Sequence, residues 1–135
     1  MTGPCFVDTN VLVYSRDRSE KKKQPRAEAW RQALWRNGQG RLSVQVLNEY
    51  YQVVTRKLTP GLSRETARAE IRDLAHWRPV PLNAAVVEAA FDAEDRWGLS
   101  YWDALIVAAA LHADCPTLLS EDLNPGQVYD GMRVV

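Results

Sequence analysis

Residues 5–7, 115–119 and 132–135 are short apolar-rich runs without the polar alternation of a half-exposed strand. Strands of that kind are buried on both faces, which is the condition of a parallel sheet covered by helices on each side. Helical segments with recognisable ends separate them. Pro25 suits the first turn of a helix that Asn37-Gly38 terminates. Ser43 caps a segment in which Val44, Leu47, Tyr51, Val54 and Leu58 recur at three- and four-residue steps, and Thr59-Pro60-Gly61 stops it. Further helices are expected over 63–77, over 84–97 between Asn83 and Gly98, and over 101–113 after Ser100. Residues 41–43 suit a second short strand, and the two prolines in 79–82 suit an edge strand. Strand and helix thus alternate, and the expected fold is an α/β three-layer sandwich around a central parallel sheet of about five strands.

At 135 residues, with 46% hydrophobic and 25% charged, the chain has the composition of one ordinary folded domain spanning residues 1–135. Seventeen basic side chains balance seventeen acidic ones, so a nucleic-acid surface has to be a local patch. The two cysteines, Cys5 and Cys115, sit in apolar runs and read as buried free thiols, which fits a reducing cytoplasm. No apolar run reaches the roughly 18 residues of a membrane span, and the N-terminus lacks the basic and apolar regions of a signal peptide.

Ligands of a parallel α/β sheet bind beyond the carboxyl ends of its strands. Asp8 ends the first strand, Asp122 follows the run 115–119, Asp103 lies in the first turn after Ser100, and Glu49 lies early in the helix after Ser43. Four acids from distant segments can therefore meet at one sheet edge. Such hard oxygen ligands, without Cys or His among them, suit Mg2+ or Mn2+, ions that activate water in phosphodiester hydrolysis. Each acid also has a plainer role. Asp8 can cap the next helix, Asp103 completes a Ser-x-x-Asp cap, Glu49 can pair with a surface base, and Asp122 sits in a turn-rich stretch. The set carries the argument, not its members.

The segments Phe6-Val7-Asp8-Thr9-Asn10-Val11-Leu12, Asn48-Glu49-Tyr50, Ser100-Tyr101-Trp102-Asp103-Ala104-Leu105-Ile106 and Ser120-Glu121-Asp122-Leu123-Asn124 resemble, in order and spacing, those of PIN-domain ribonucleases, in particular VapC-type toxins of toxin–antitoxin pairs. The resemblance runs along nearly the whole chain. It implies a metal-dependent endoribonuclease leaving a 5′-phosphate and a 3′-hydroxyl, with Asp8, Glu49, Asp103 and Asp122 as catalytic and metal-holding acids. It also implies supporting roles for Asn10 and Ser120, a homodimer, and a cognate antitoxin that places a basic side chain near the acids. Many members carry a further acid where this chain has Asn124, so a ligand there would be a neutral amide.

Two basic clusters are candidates for RNA contacts. Arg64, Arg68 and Arg72 share a helix face, where pairing with Glu65 and Glu70 is the plainer reading; Lys21–Lys23 with Arg16 and Arg18 lie nearer Asp8. Trp30, Trp35, Trp77 and Trp97 read as packing residues, and Trp102 as packing or as a base-stacking ring at the site mouth. His76 and His112 have no partner at ligand spacing. A haloacid-dehalogenase phosphatase would need a second Asp where Asn10 stands, and a receiver domain an early pair of adjacent acids. A binding module that keeps the fold without the activity is the alternative from a different class.

Overall fold

The computed structural model describes residues 3–135. Its core is a five-stranded sheet formed by β1 (Cys5–Val7), β2 (Gly40–Arg41), β3 (Thr117–Leu119), β4 (Val128–Tyr129) and β5 (Met132–Val134), in the order β2-β1-β3-β5-β4. The four strands β2, β1, β3 and β5 pair in parallel, and β4 closes the edge antiparallel to β5. The expected sheet is there, with two differences. The segment around Val80 contributes a single parallel bridge to Ser43, because Pro79 and Pro81 on either side of Val80 have no N–H to extend a ladder. The fifth strand is β4, two residues long and turned back through Asp130-Gly131, too short to leave an apolar signature.

Among the described residues six helices flank the sheet: α1 (Thr9–Tyr14), α2 (Lys23–Asn37), α3 (Val44–Arg56), α4 (Arg64–Leu74), α5 (Ala84–Trp97) and α6 (Tyr101–His112), with a 3-10 turn at Ala75–Trp77. They pack in two groups, α5 against α6, and α1 against α2 and α3 with α4 on α3. Side-chain caps start five of them, the acceptors being Asp8, Ser43, Ser63, Asn83 and Ser100. Gly38 and Gly98 end α2 and α5 in the left-handed region, at φ 70° and 64°. Residues 104–110 of α6 are buried all round. Gly40 has a different reason to be glycine: a Cβ there would stand 2.5 Å from the Trp77 ring. Both cysteines are free and buried as expected, and burial pushes the Cys5 thiol up to about 12 and that of Cys115 up to about 11. Among the described residues no helix is long and apolar enough to cross a membrane.

The strand order places the site. From β1 the chain runs to β2 on one side and later returns through β3 on the other, so the topology reverses beside β1. In open α/β sheets, the crevice beyond the carboxyl ends of two such strands is where ligands bind.

Candidate functional site

Val7 and Leu119 pair in register, and the residues that follow them, Asp8 and Ser120, meet at the edge of the sheet. Asp8 is 5% exposed. Its Oδ1 accepts from the amide of Thr9 at 2.7 Å, and its Oδ2 accepts from the Ser120 hydroxyl at 2.8 Å and from Asn10 Nδ2 at 3.4 Å. The capping role and a place in the crevice therefore coexist in one carboxyl group. Burial lifts this carboxyl to about 6. The hydrogen bonds from Ser120 and Thr9 oppose that shift, and the charges of Asp122 and Asp103 add to it.

Two polar side chains join the β1 and β3 loops. The Ser120 hydroxyl, besides donating to Asp8, accepts from the amides of Asp122 and Leu123 at 3.2 and 3.4 Å. Asn10 Oδ1 accepts from the amide of Glu121 at 3.1 Å. Asp122 is exposed at the rim. Asp103 sits in the first turn of α6, its amide donating to Ser100 Oγ at 3.2 Å. Among the described residues its carboxylate returns no bond to the Ser100 amide, so the capping box is only half formed. Glu49, half-buried on α3, accepts from Thr9 Oγ1 at 2.7 Å.

Asp8, Glu49, Asp103 and Asp122 all line one open cavity of about 640 Å³. Asn10 lines it too, whereas Ser120 acts from beneath through Asp8. Asn124 is exposed and is not among the cavity walls; its backbone carbonyl accepts from the Gln127 amide. The sequence reading passed over the Thr9 hydroxyl that holds Glu49. It also passed over the polar stripe Gln45, Asn48, Glu49 and Gln52, which lines the cavity from α3 at helical spacing and was legible as such. Lys57, at the end of α3, is the cation of that wall.

Among the described residues no three acidic, His or Cys side chains stand close enough together to form a ready-made metal cage. The donor set nevertheless fits a hard divalent cation. Mg2+ takes one or two carboxylates and keeps several waters, so it needs acids facing a shared, water-accessible space more than a closed ring of ligands. Asp8, Glu49, Asp103 and Asp122 face the same open cavity, a concentration of acids that a cation would neutralise.

The surroundings correct three expectations. Arg16 does not join a basic patch: its guanidinium turns inward to Glu28 and Glu70. Glu70 turns away from the α4 arginines to Arg16, Arg31 and the Tyr50 hydroxyl, so its expected pairing with them is replaced by a half-buried network linking the loop after α1 with α2, α3 and α4. Trp102 is not part of this chain's core. It is 61% exposed and forms a wall of the cavity, whereas Trp77 is buried and Trp30 and Trp97 are half-buried; Trp35, 49% exposed, leans on Trp77.

Comparison with known proteins agrees with this architecture. No curated protein matches the chain. A toxin–antitoxin complex from Klebsiella pneumoniae contains a chain of similar fold, with a TM-score of 0.66 at 18% identity, covering 97% of this chain and 95% of that one. The crystal structure of VapBC2 from Rickettsia felis bound to a DNA fragment from their promoter gives a TM-score of 0.60 at 15% identity, covering 97% and 96%. The family model described as PIN domain matches residues 5–130. The chain belongs to the PIN domain family, a family of nucleases.

Proposed function

We propose that the chain is a metal-dependent endoribonuclease, acting as one domain across residues 1–135, and the toxin of a toxin–antitoxin pair. The observation that carries the reading is the convergence of Asp8, Glu49, Asp103 and Asp122 on one cavity at the topological switch point of the sheet. These four would hold Mg2+ or Mn2+. When bound, such an ion supplies Lewis-acid stabilisation of phosphoryl charge and a water of lowered pKa.

The chain's own residues supply position and charge. Thr9 fixes the Glu49 carboxylate, Ser120 fixes Asp8 from the opposite loop and Asn10 from its own, so these two acids stand in place before substrate arrives. Asp8 holds its proton below about pH 6 and presents a full charge above it. The four acids line an open cavity rather than an enclosed one, which is compatible with internal cleavage of RNA.

The toxin assignment draws on the fold shared with chains of two toxin–antitoxin complexes and on the sequence resemblance to VapC-type toxins. It brings with it a cognate antitoxin that covers the cavity with a basic side chain near the acids, a homodimer, and a cytoplasmic place of action. The test is cleavage of total cellular RNA by purified protein with Mg2+ or Mn2+, beside EDTA and Asp8→Asn. Discrete products that vanish in both controls establish the nuclease. Absence of cleavage by folded, antitoxin-free protein turns the assignment to a binding module.

A further inference from the structure

We infer that Trp102 is the base-stacking platform of this site, binding the face of an unpaired RNA base beside the phosphodiester that the acids address. The inference deepens the ribonuclease reading and rests on it.

Trp102 lies in the first turn of α6, one residue before Asp103, and the helix enters the core immediately afterwards at Ala104. Its ring is nonetheless 61% exposed, the highest value among the exposed large hydrophobic residues. Burial elsewhere does not need it. It stands as a wall of the same cavity as Asp8, Asp103 and Asp122, so a strand crossing those acids passes its face.

The ring is also held. Tyr101 meets it edge-on, with centroids 5.5 Å apart and planes at 65°, and Phe91 of α5 meets Tyr101 at 6.0 Å. Phe91 is itself 44% exposed, so three rings continue outward from the cavity. An exposed indole already in contact with a neighbouring ring loses less freedom when a base settles on it than an unsupported one.

The charge of the site says why such a platform is needed. Clustered carboxylates repel a phosphodiester, and a cation offsets that repulsion only while it is bound. Stacking attracts the base irrespective of the ion and tolerates any sequence, since every base has a π-face. Bases inside a duplex are already stacked on each other and cannot offer a face to the ring.

The test reads binding without cleavage, in Asp8→Asn protein, by fluorescence anisotropy of a labelled random-sequence single-stranded RNA of about 12 nucleotides. Adding Trp102→Ala weakens binding about tenfold, the effect of losing one stacked base, while Trp102→Phe keeps most of the affinity. In a second readout, the RNA quenches tryptophan emission of the Asp8→Asn protein clearly more than that of Asp8→Asn/Trp102→Phe. Equal affinities for Trp102→Ala and its parent, or equal quenching with and without Trp102, overturn the inference. So does a loss of dimer in sedimentation velocity on Trp102→Ala with RNA affinity unchanged, which assigns the ring to contact with a second copy. Because cleavage is not the readout, an inert wild type on total RNA defeats the nuclease reading while leaving this result standing, and the reverse also holds.

Discussion

Asp8 and Ser120, 112 positions apart in sequence, are joined at the carboxyl edge of the sheet by a hydrogen bond of 2.8 Å from the serine hydroxyl to Asp8 Oδ2. The same oxygen of Ser120 accepts from two amides of the following loop, so one buried hydroxyl sets both the charge of Asp8 and the course of the chain past Asp122. Ser120→Ala removes all three bonds and leaves the Leu123 amide without its acceptor in a buried position. The expected loss of stability is about 1–3 kcal/mol. Ser120 lowers the Asp8 carboxyl, so its removal lets that carboxyl rise beyond about 6 and moves the acid limb of a cleavage pH profile to higher pH. Thermal unfolding and a pH–rate profile read the two effects separately. A stability loss with no displacement of the acid limb would show that Ser120 shapes the loop without tuning Asp8.

The buried Asp8 carboxyl makes a second, signed prediction. Its folded value of about 6 lies above the ordinary 3.8, so the fold favours the protonated form. The stabilising contribution is full below pH 3.8 and is lost as pH rises through about 6. Above that, the ionised group costs at most about 3 kcal/mol, from two units at 1.36 kcal/mol each. Asp8→Asn carries no charge at any pH. It is therefore expected to raise the melting temperature relative to the parent at pH 7.5, with the gap closing toward pH 4, while abolishing cleavage. The gain falls short of the full figure because an amide has a single acceptor oxygen and cannot accept from Thr9 on one side and from Ser120 and Asn10 on the other. Equal destabilisation at both pH values would falsify the electrostatic account of Asp8.

Ion binding follows from the same charge. A ligand that binds only the folded chain at about 100 times its dissociation constant stabilises it by about 2.7 kcal/mol. Protons compete for Asp8 below about pH 6, so Mg2+ or Mn2+ should raise the melting temperature clearly at pH 7.5 and little at pH 5. The effect should vanish in Asp8→Asn. A metal-induced shift of equal size at both pH values places the ion away from Asp8.

What the sequence made legible follows from range. Caps, glycine stops and apolar runs act over a few residues, and Ser43, Asn83, Ser100, Gly38 and Gly98 do in the structure what their local pattern implies. The convergence of Asp8 with Asp103 and Asp122 was legible because strand ends and helix starts share one edge in a parallel sheet. The direction of a surface charge was not legible. Glu70 has arginines on its own helix face, yet it turns to Arg16 and Arg31, which only the packing of α1 and α2 beside α3 and α4 brings near. Trp102 stayed open between packing and the site mouth for the converse reason, since an aromatic residue in an apolar helix looks like core until the helix's point of entry into the core is known. Strand β4 carries two residues and no pattern, so only its turn onto β5 defines it.

Lys57 separates two routes by which RNA reaches the acids. It closes α3 as an exposed cation on the cavity wall, whereas Lys21 and Lys22 lie exposed on the approach to α2, and Lys23 rests over the Tyr14 ring at 4.7 Å. Tyr14 also lines the cavity, so the nearer of the two groups meets it only through the Tyr14 ring under Lys23, whereas Lys57 is itself a wall residue. A phosphate contact to single-stranded nucleic acid contributes about 0.7 to the slope of log affinity against log salt. Lys57→Glu places a negative charge on the cavity wall that Glu49 shares, and is expected to weaken RNA binding in Asp8→Asn protein and to flatten the salt slope by about that amount. Reversal of Lys21 and Lys22 together should flatten it less, because neither lysine is among the cavity walls. Affinity measured across several salt concentrations distinguishes them. A slope unchanged by Lys57→Glu and reduced by the Lys21/Lys22 pair would route the strand along the N-terminal end of α2, away from the end of α3.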